Sequence, residues 1–155
     1  MRLTDILERE CVRVPLEATD KHGAIDELVA VLAEHAGFDD VESLQKAVWD
    51  REQTRTTGIG HGIGIPHGKA AGVDRLRMAV GKPAEPIDFD AIDRKPVDLI
   101  LVLLSPIDQT GPHIQALARI SRILTDEDFR TAVKAAPDAN ALFDLIAEHE
   151  TAATA

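Results

Sequence analysis

Apolar positions along this chain switch between helical and strand spacing from one end to the other. Cys11 to Val14 reads as a short strand closed by Pro15. Thr19 or Asp20 can cap a helix whose apolar stripe is Ile25, Leu28, Val29, Leu32 and Ala36, and Gly37 stops it. A second helix is predicted from about Val41 to Arg55. Thr57 to Ile65 reads as a glycine-rich strand ended by Pro66. Leu76, Met78 and Val80 alternate within a strand over Leu76 to Lys82, and Ile87 to Lys95 is a polar connection. Val97 to Leu104 is nearly all apolar, the pattern of a central strand covered on both faces. Helices from about Gly111 to Leu124, Glu127 to Ala135 and Ala139 to His149 complete the pattern. The reading is one α/β domain over residues 1–149, a mostly parallel or mixed sheet between helices, and a disordered tail over 150–155.

Composition narrows the function classes. The 155 residues suffice for one domain with a real core. The net charge of −10 argues against nucleic acid, whose phosphate backbone demands excess Lys and Arg, and favours a partner with a basic surface. The single cysteine, Cys11, excludes an intrachain disulfide and reads as a small core hydrophobe. The longest apolar run contains Asp98 and is strand-length, and the N-terminus carries no signal-like run. The expected location is the cytoplasm, with no membrane insertion.

The segment TGIGHGIGIPHGK stands out. Gly58, Gly60, Gly62 and Gly64 fall at every second position, so a continuous strand would put all four on one face. Close packing of a helix accounts for such a bare face. It does not account for His67, which follows Pro66 and precedes Gly68 at the expected end of the strand, where α/β sheets bind ligands. His113 shares a helical stripe with Leu117, Ile120 and Leu124, so it faces inward at a helix N-terminus. There the macrodipole disfavours an imidazolium and favours an anion. Thr110 or Gly111 is the expected cap and Pro112 the first helical residue. Arg51 lies three and seven residues after Val48 and Leu44, which calls for a partner, such as the carboxylate of Asp50 or Glu52, or a snorkelling stem. Arg55 and Lys69 read as solvated charges, Lys69 with some reach toward a bound anion.

These types suit phosphoryl transfer. A neutral imidazole is a competent nucleophile near neutral pH, and the transition state spreads negative charge over the phosphoryl oxygens. Arg51, His113 and backbone N–H groups around Gly68 are the candidates to meet that charge. No GxxxxGK(S/T) loop occurs, and the glycine spacing does not make a GxGxxG fingerprint. A zinc site from His61, His67 and His113 is the competing reading. It is disfavoured by the spacing of six and by the lack of a cysteine or clustered carboxylate to complete it.

GIGHGIGIPHGK, the later block PIDFDAIDRKPVDLILVLLSP and the helix of His113 together resemble the IIA domain of the fructose–mannitol type in the phosphoenolpyruvate-dependent sugar phosphotransferase system. The nitrogen-regulatory branch is included, and the resemblance runs from about Leu3 to Glu148. It implies a mixed, mostly parallel sheet of about five strands flanked by helices on both sides. It implies that His67 accepts the phosphoryl group, that His113 is the second active-site histidine and that Arg51 supports the phosphoryl group. It implies no cofactor and no metal. The donor would be the small carrier protein HPr or its nitrogen-branch relative, and the recipient a IIB domain or a regulated protein. His61 either borders the site or packs between Ile59 and Ile63, with packing favoured. The absence of IIB, IIC or membrane segments in the sequence favours a regulatory IIA protein over a sugar-transport component. The oligomeric state stays open, a homodimer among its outcomes.

Overall fold

The computed structural model describes residues 2–154. After a short 3-10 turn at Leu3–Asp5, strand β1 spans Leu7–Leu16, well beyond the four residues expected. Its charged Glu8, Arg9, Glu10 and Arg13 mask it in the sequence. They are tolerated because β1 is an edge strand, paired among the described residues with β5 (Arg77–Pro83) alone. Helix α1 (Lys21–Ala36) starts where the Asp20 carboxylate accepts the Gly23 N–H and ends at Gly37, whose φ of +77° supplies the left-handed C-cap. Helix α2 spans Val41–Thr54.

The glycine-rich segment is not one strand. It is a hairpin of β2 (Gly58–Gly60) and β3 (Ile63–Gly64), paired antiparallel. Gly60, His61 and Gly62 have φ of +96°, +58° and +77°, so the chain reverses there and the four glycines share no face. At Gly58 and Gly64 the close neighbour is not a helix. A Cβ on Gly58 or Gly64 would lie 2.7 Å from Ala91 or Phe89, both on the connection expected to be polar. That connection is a core plug: Ile87, Phe89 and Ala91 are buried, and Ile87 bridges Val97.

Pro66 does not end the ladder. Its carbonyl accepts the Leu103 N–H at 3.0 Å, and the chain continues as β4 (His67–Ala70). Strand β6 (Leu99–Pro106) is buried at all eight positions, as its apolar run predicts. It pairs antiparallel with β5 on one side and parallel with β3 and then β4 on the other. The sheet therefore has six strands in the order β1-β5-β6-β3-β2, with β4 also on β6. It is mixed, since β1 and β5 also run parallel.

Helices α1 and α2 pack together against β1, β5, β6 and β4. A second group, α3 (Thr110–Ile123), α4 (Glu127–Ala135) and α5 (Ala139–Thr154), meets β1 and β6. The tail expected from residue 150 is instead helical through Thr154. Glu150 is buried because its carboxylate accepts the Leu3 and Thr4 N–H groups and pairs with Arg119. The core expectation for Cys11 holds: it is 2% exposed.

Candidate functional site

His67 is the first residue of β4, in register with Leu103 in the middle of β6, rather than the last residue of a strand. Gly68 beside it lets α2 approach, since a Cβ there would come within 3.3 Å of the Val48 backbone and side chain. The His67 Nδ1 lies 2.8 Å from the Ile65 carbonyl oxygen. A carbonyl can only accept, so Nδ1 carries the hydrogen and the lone pair of the neutral ring sits on Nε2. Burial pulls the His67 pKa below its ordinary 6.5, and the Arg51 charge pulls the same way, against the Ile65 hydrogen bond and Glu52. The ring is thus a neutral imidazole with a defined nucleophilic nitrogen at neutral pH.

His113 is brought to it from α3. The two ring centroids are 5.4 Å apart at an interplanar angle of 55°. His113 is buried, and burial first, then the charges of His67, Lys69 and Arg51, push its pKa down to about 4. Its Nδ1 lies 2.6 Å from the hydroxyl of Ser105, the fully buried seventh residue of β6. The N-cap of α3 is Gln109 rather than Thr110 or Gly111, and no side chain caps the helix. Pro112 is then its third residue, where a missing N–H still costs nothing. The Thr110 hydroxyl instead accepts from Lys69 Nζ at 3.2 Å, tying β4 to α3.

Arg51 lines a cavity of about 310 Å³ with His67, Arg55, Thr57, Leu117 and Ser121. Among the described residues it pairs with no carboxylate. Its Nη1 reaches only the Thr54 hydroxyl at 3.4 Å and the Arg55 carbonyl at 3.2 Å. Leu44, Val48 and Glu52, spaced by four, form the buried stripe of α2, and Arg51 lies beside it. The stripe therefore belongs to Glu52 and not to Arg51, and Glu52 pairs with Lys21 instead of serving as the expected carboxylate partner of Arg51. Glu52 is 3% exposed. It pairs with Lys21 Nζ at 2.8 Å and accepts the Thr57 N–H at 2.7 Å and hydroxyl at 2.5 Å. The Thr57 carbonyl accepts the Ile65 N–H at 3.2 Å. A chain of bonds therefore runs from Lys21 through Glu52, Thr57 and Ile65 to His67 Nδ1.

His61 fulfils neither expectation. It is exposed at the hairpin tip, with its backbone N–H on Asp93, and lines a separate cavity with Asp98, Arg130 and Lys134. The three imidazoles of the zinc reading do not converge. Among the described residues the group close enough to share a metal ion is Glu8, Glu10 and His35, where Glu8 is already paired with His35 and Arg75. Among the described residues four large apolar side chains are exposed: Ile59 (40%), Ile92 (67%), Ile107 (61%) and Ile114 (59%). Ile59 and Ile92 line the His67 cavity, and Ile107 and Ile114 flank the start of α3.

One family matches this arrangement over nearly the whole chain. The family described as phosphoenolpyruvate-dependent sugar phosphotransferase system, EIIA 2, covers residues 5–149. The chain belongs to it. It is a IIA phosphocarrier of that system. This IIA chain is 35% identical over 147 residues to a nitrogen regulatory protein of Bradyrhizobium diazoefficiens, covering 95% of both. It is 31% identical over 150 residues to the fructose-specific EIIABC component of Bacillus subtilis, and there it spans 97% of itself but only 24% of the relative. The crystal structure of nitrogen regulatory protein IIA-Ntr from Neisseria meningitidis superposes with a TM-score of 0.85 at 28% identity, covering 93% of this chain and 98% of that one. No helix among the described residues of the IIA chain is long and apolar enough to cross a membrane.

Proposed function

We propose that His67 is the phosphoryl acceptor of this IIA chain and that its Nε2 is the attacking atom. The observation that carries the reading is the Ile65 carbonyl, which holds the ring hydrogen on Nδ1 and leaves the Nε2 lone pair free. The donor's P–N bond breaks as the Nε2–P bond forms, its electron pair returning to the donor imidazole, and the Nδ1 hydrogen stays on the His67 ring, donated to the Ile65 carbonyl. Arg51 and the neutral His113 ring supply positive charge and an N–H toward the phosphoryl oxygens. Arg51 is available for this because no carboxylate among the described residues occupies it. Lys69, held on Thr110, adds charge at the same rim. The step needs no cofactor and no metal.

The donor is an HPr-type carrier protein, the nitrogen-branch relative included. The exposed Ile59 and Ile92 border the His67 cavity with apolar surface, which suits docking a protein rather than a small substrate. The output is regulatory: the phosphorylation state of His67 governs which target the chain binds. Support for this comes from the nitrogen regulatory relative, which this chain matches over 95% of its length, and from the likeness to IIA-Ntr. The second reading is delivery to a fructose- or mannitol-type IIB domain, favoured by the fructose-specific relative.

Incubation with phosphoenolpyruvate, enzyme I and HPr, followed by mapping of acid-labile phosphate, tests the acceptor. Label is expected on His67 and none on His67→Ala protein. Label on another residue overturns the assignment. Rapid discharge of the phosphoprotein to a IIB domain would replace the regulatory reading with the transport one.

A further inference from the structure

Two imidazoles face one phosphoryl group in the reading above, and they need opposite hydrogen placements. His67 must offer a lone pair. His113 must offer an N–H, because a second lone pair would repel the anionic oxygens. Ile65 fixes the first ring. The Ser105 hydroxyl is the group in contact with Nδ1 of the second.

The direction of that bond follows from counting donors. If His113 Nδ1–H donated to the Ser105 oxygen, the hydroxyl hydrogen would need another acceptor. Ser105 is 0% exposed, and His113 Nδ1 is its one side-chain partner among the described residues. A buried hydroxyl hydrogen without an acceptor is costly, whereas an oxygen lone pair left empty costs less. Ser105 therefore donates, Nδ1 accepts, and the hydrogen of the neutral ring stands on Nε2.

We propose that Ser105 is a positioning residue that locks His113 in the Nε2–H tautomer, so that the ring presents a hydrogen-bond donor to the phosphoryl group while His67 presents its lone pair. Both settings are referred to one strand. Ser105 lies on β6 two residues beyond Leu103, which is in register with His67. The low proton affinity that burial gives His113 keeps the ring neutral at physiological pH, so its tautomer decides what it offers. The role of Ser105 in transfer rests on phosphorylation at His67, whereas its hold on the His113 tautomer does not.

The test is nitrogen-15 NMR of the imidazoles in the unphosphorylated protein, with His113 assigned against His113→Ala, alongside phosphoryl transfer from phospho-HPr. In the wild type, His113 Nδ1 should resonate as an unprotonated and Nε2 as a protonated nitrogen, with His67 reversed. Ser105→Ala should move the His113 pair toward averaged values, leave His67 Nδ1 protonated and slow transfer about fivefold, the loss of one net hydrogen bond. Ser105→Thr keeps the hydroxyl and should restore both. Thermal unfolding of each variant confirms that a folded protein is compared. A His113 hydrogen on Nδ1 in the wild type overturns the proposal, as does a folded Ser105→Ala protein with the wild-type nitrogen pattern. Unchanged transfer in Ser105→Ala with a shifted tautomer overturns its role in transfer. Absence of label on His67 overturns the acceptor assignment instead, while the spectra still decide the tautomer.

Discussion

Replacing Glu52 with alanine should destabilise the fold by about 3–5 kcal/mol, the cost of leaving one member of a buried ion pair behind. The Glu52 side chain is 1% exposed, and the Lys21 side chain that faces it is 16% exposed. Removing Glu52 strands the Lys21 ammonium on the Phe89 carbonyl at 3.0 Å and the Phe89 ring at 4.9 Å. It also orphans the Thr57 N–H and hydroxyl. Each bond to a carboxylate contributes about 1.5–3 kcal/mol, but the three share one acceptor and do not add. For a domain of this size the loss corresponds to a fall in Tm of roughly 6–20 °C. Urea denaturation of Glu52→Ala, Lys21→Met and the double variant measures it. The double variant should be less destabilised than the sum of the singles by about 2 kcal/mol, since either single leaves a buried charge alone. The damage should also reach His67, because Thr57 and Ile65 carry it there: the nitrogen-15 signal of His67 Nδ1 should broaden or shift. A loss below about 1 kcal/mol for Glu52→Ala, or additivity of the two singles, would refute the reasoning.

Three further outcomes follow from other parts of the structure. The unfolded chain protonates His113 near 6.5 and the folded chain only near 4, so the unfolded state holds the extra proton between those values. Stability should therefore fall as pH drops through that window, and His113→Gln should flatten part of the slope seen by urea denaturation; equal slopes would contradict the burial account. Gly68→Ala puts a methyl group 3.3 Å from Val48, which should cost about 1–3 kcal/mol and, by lifting α2, slow phosphoryl transfer; a variant with wild-type Tm and rate would show that α2 does not rest there. Burial pushes the Cys11 thiol up to about 11, so a maleimide reagent should label the unfolded chain and spare the folded one, as mass spectrometry would report.

The elements most legible in the sequence are those whose local chemistry and burial agree. The stripe and caps of α1, the run that becomes β6, and the residues 127–135 of α4 are of this kind. The hairpin was not legible, because alternating glycines have the period of a strand whether the chain runs straight or reverses. Only the positive φ of Gly60, His61 and Gly62 distinguishes the two. Strand β4 was hidden because Pro66 removes a donor, and nothing local reveals that its carbonyl still pairs with Leu103. At the site, His67, His113 and Arg51 stand out as unusual types in unusual contexts. Ser105 and Glu52 do not, since a lone Ser ending an apolar run and a Glu beside an Arg are common. Each carries a positional signal nonetheless. Ser105 is the polar side chain in an otherwise apolar strand, and Glu52 continues the spacing of Leu44 and Val48.

The shared reference of the two imidazoles to β6 separates what this scaffold can vary from what it must keep. His67 takes its position from Leu103, and His113 is bonded to Ser105, so the spacing of the rings is inherited from a fully buried strand. The apolar docking rim comes from elsewhere: Ile59 from the β2–β3 hairpin and Ile92 from the connection that plugs the core. Substitutions of those two exposed side chains can re-shape the face seen by a visiting protein, while their buried neighbours Phe89 and Ala91 hold the frame of the transfer chemistry in place. Such a division lets a lineage exchange one client for another by drift on the periphery, with the chemical step carried through unchanged.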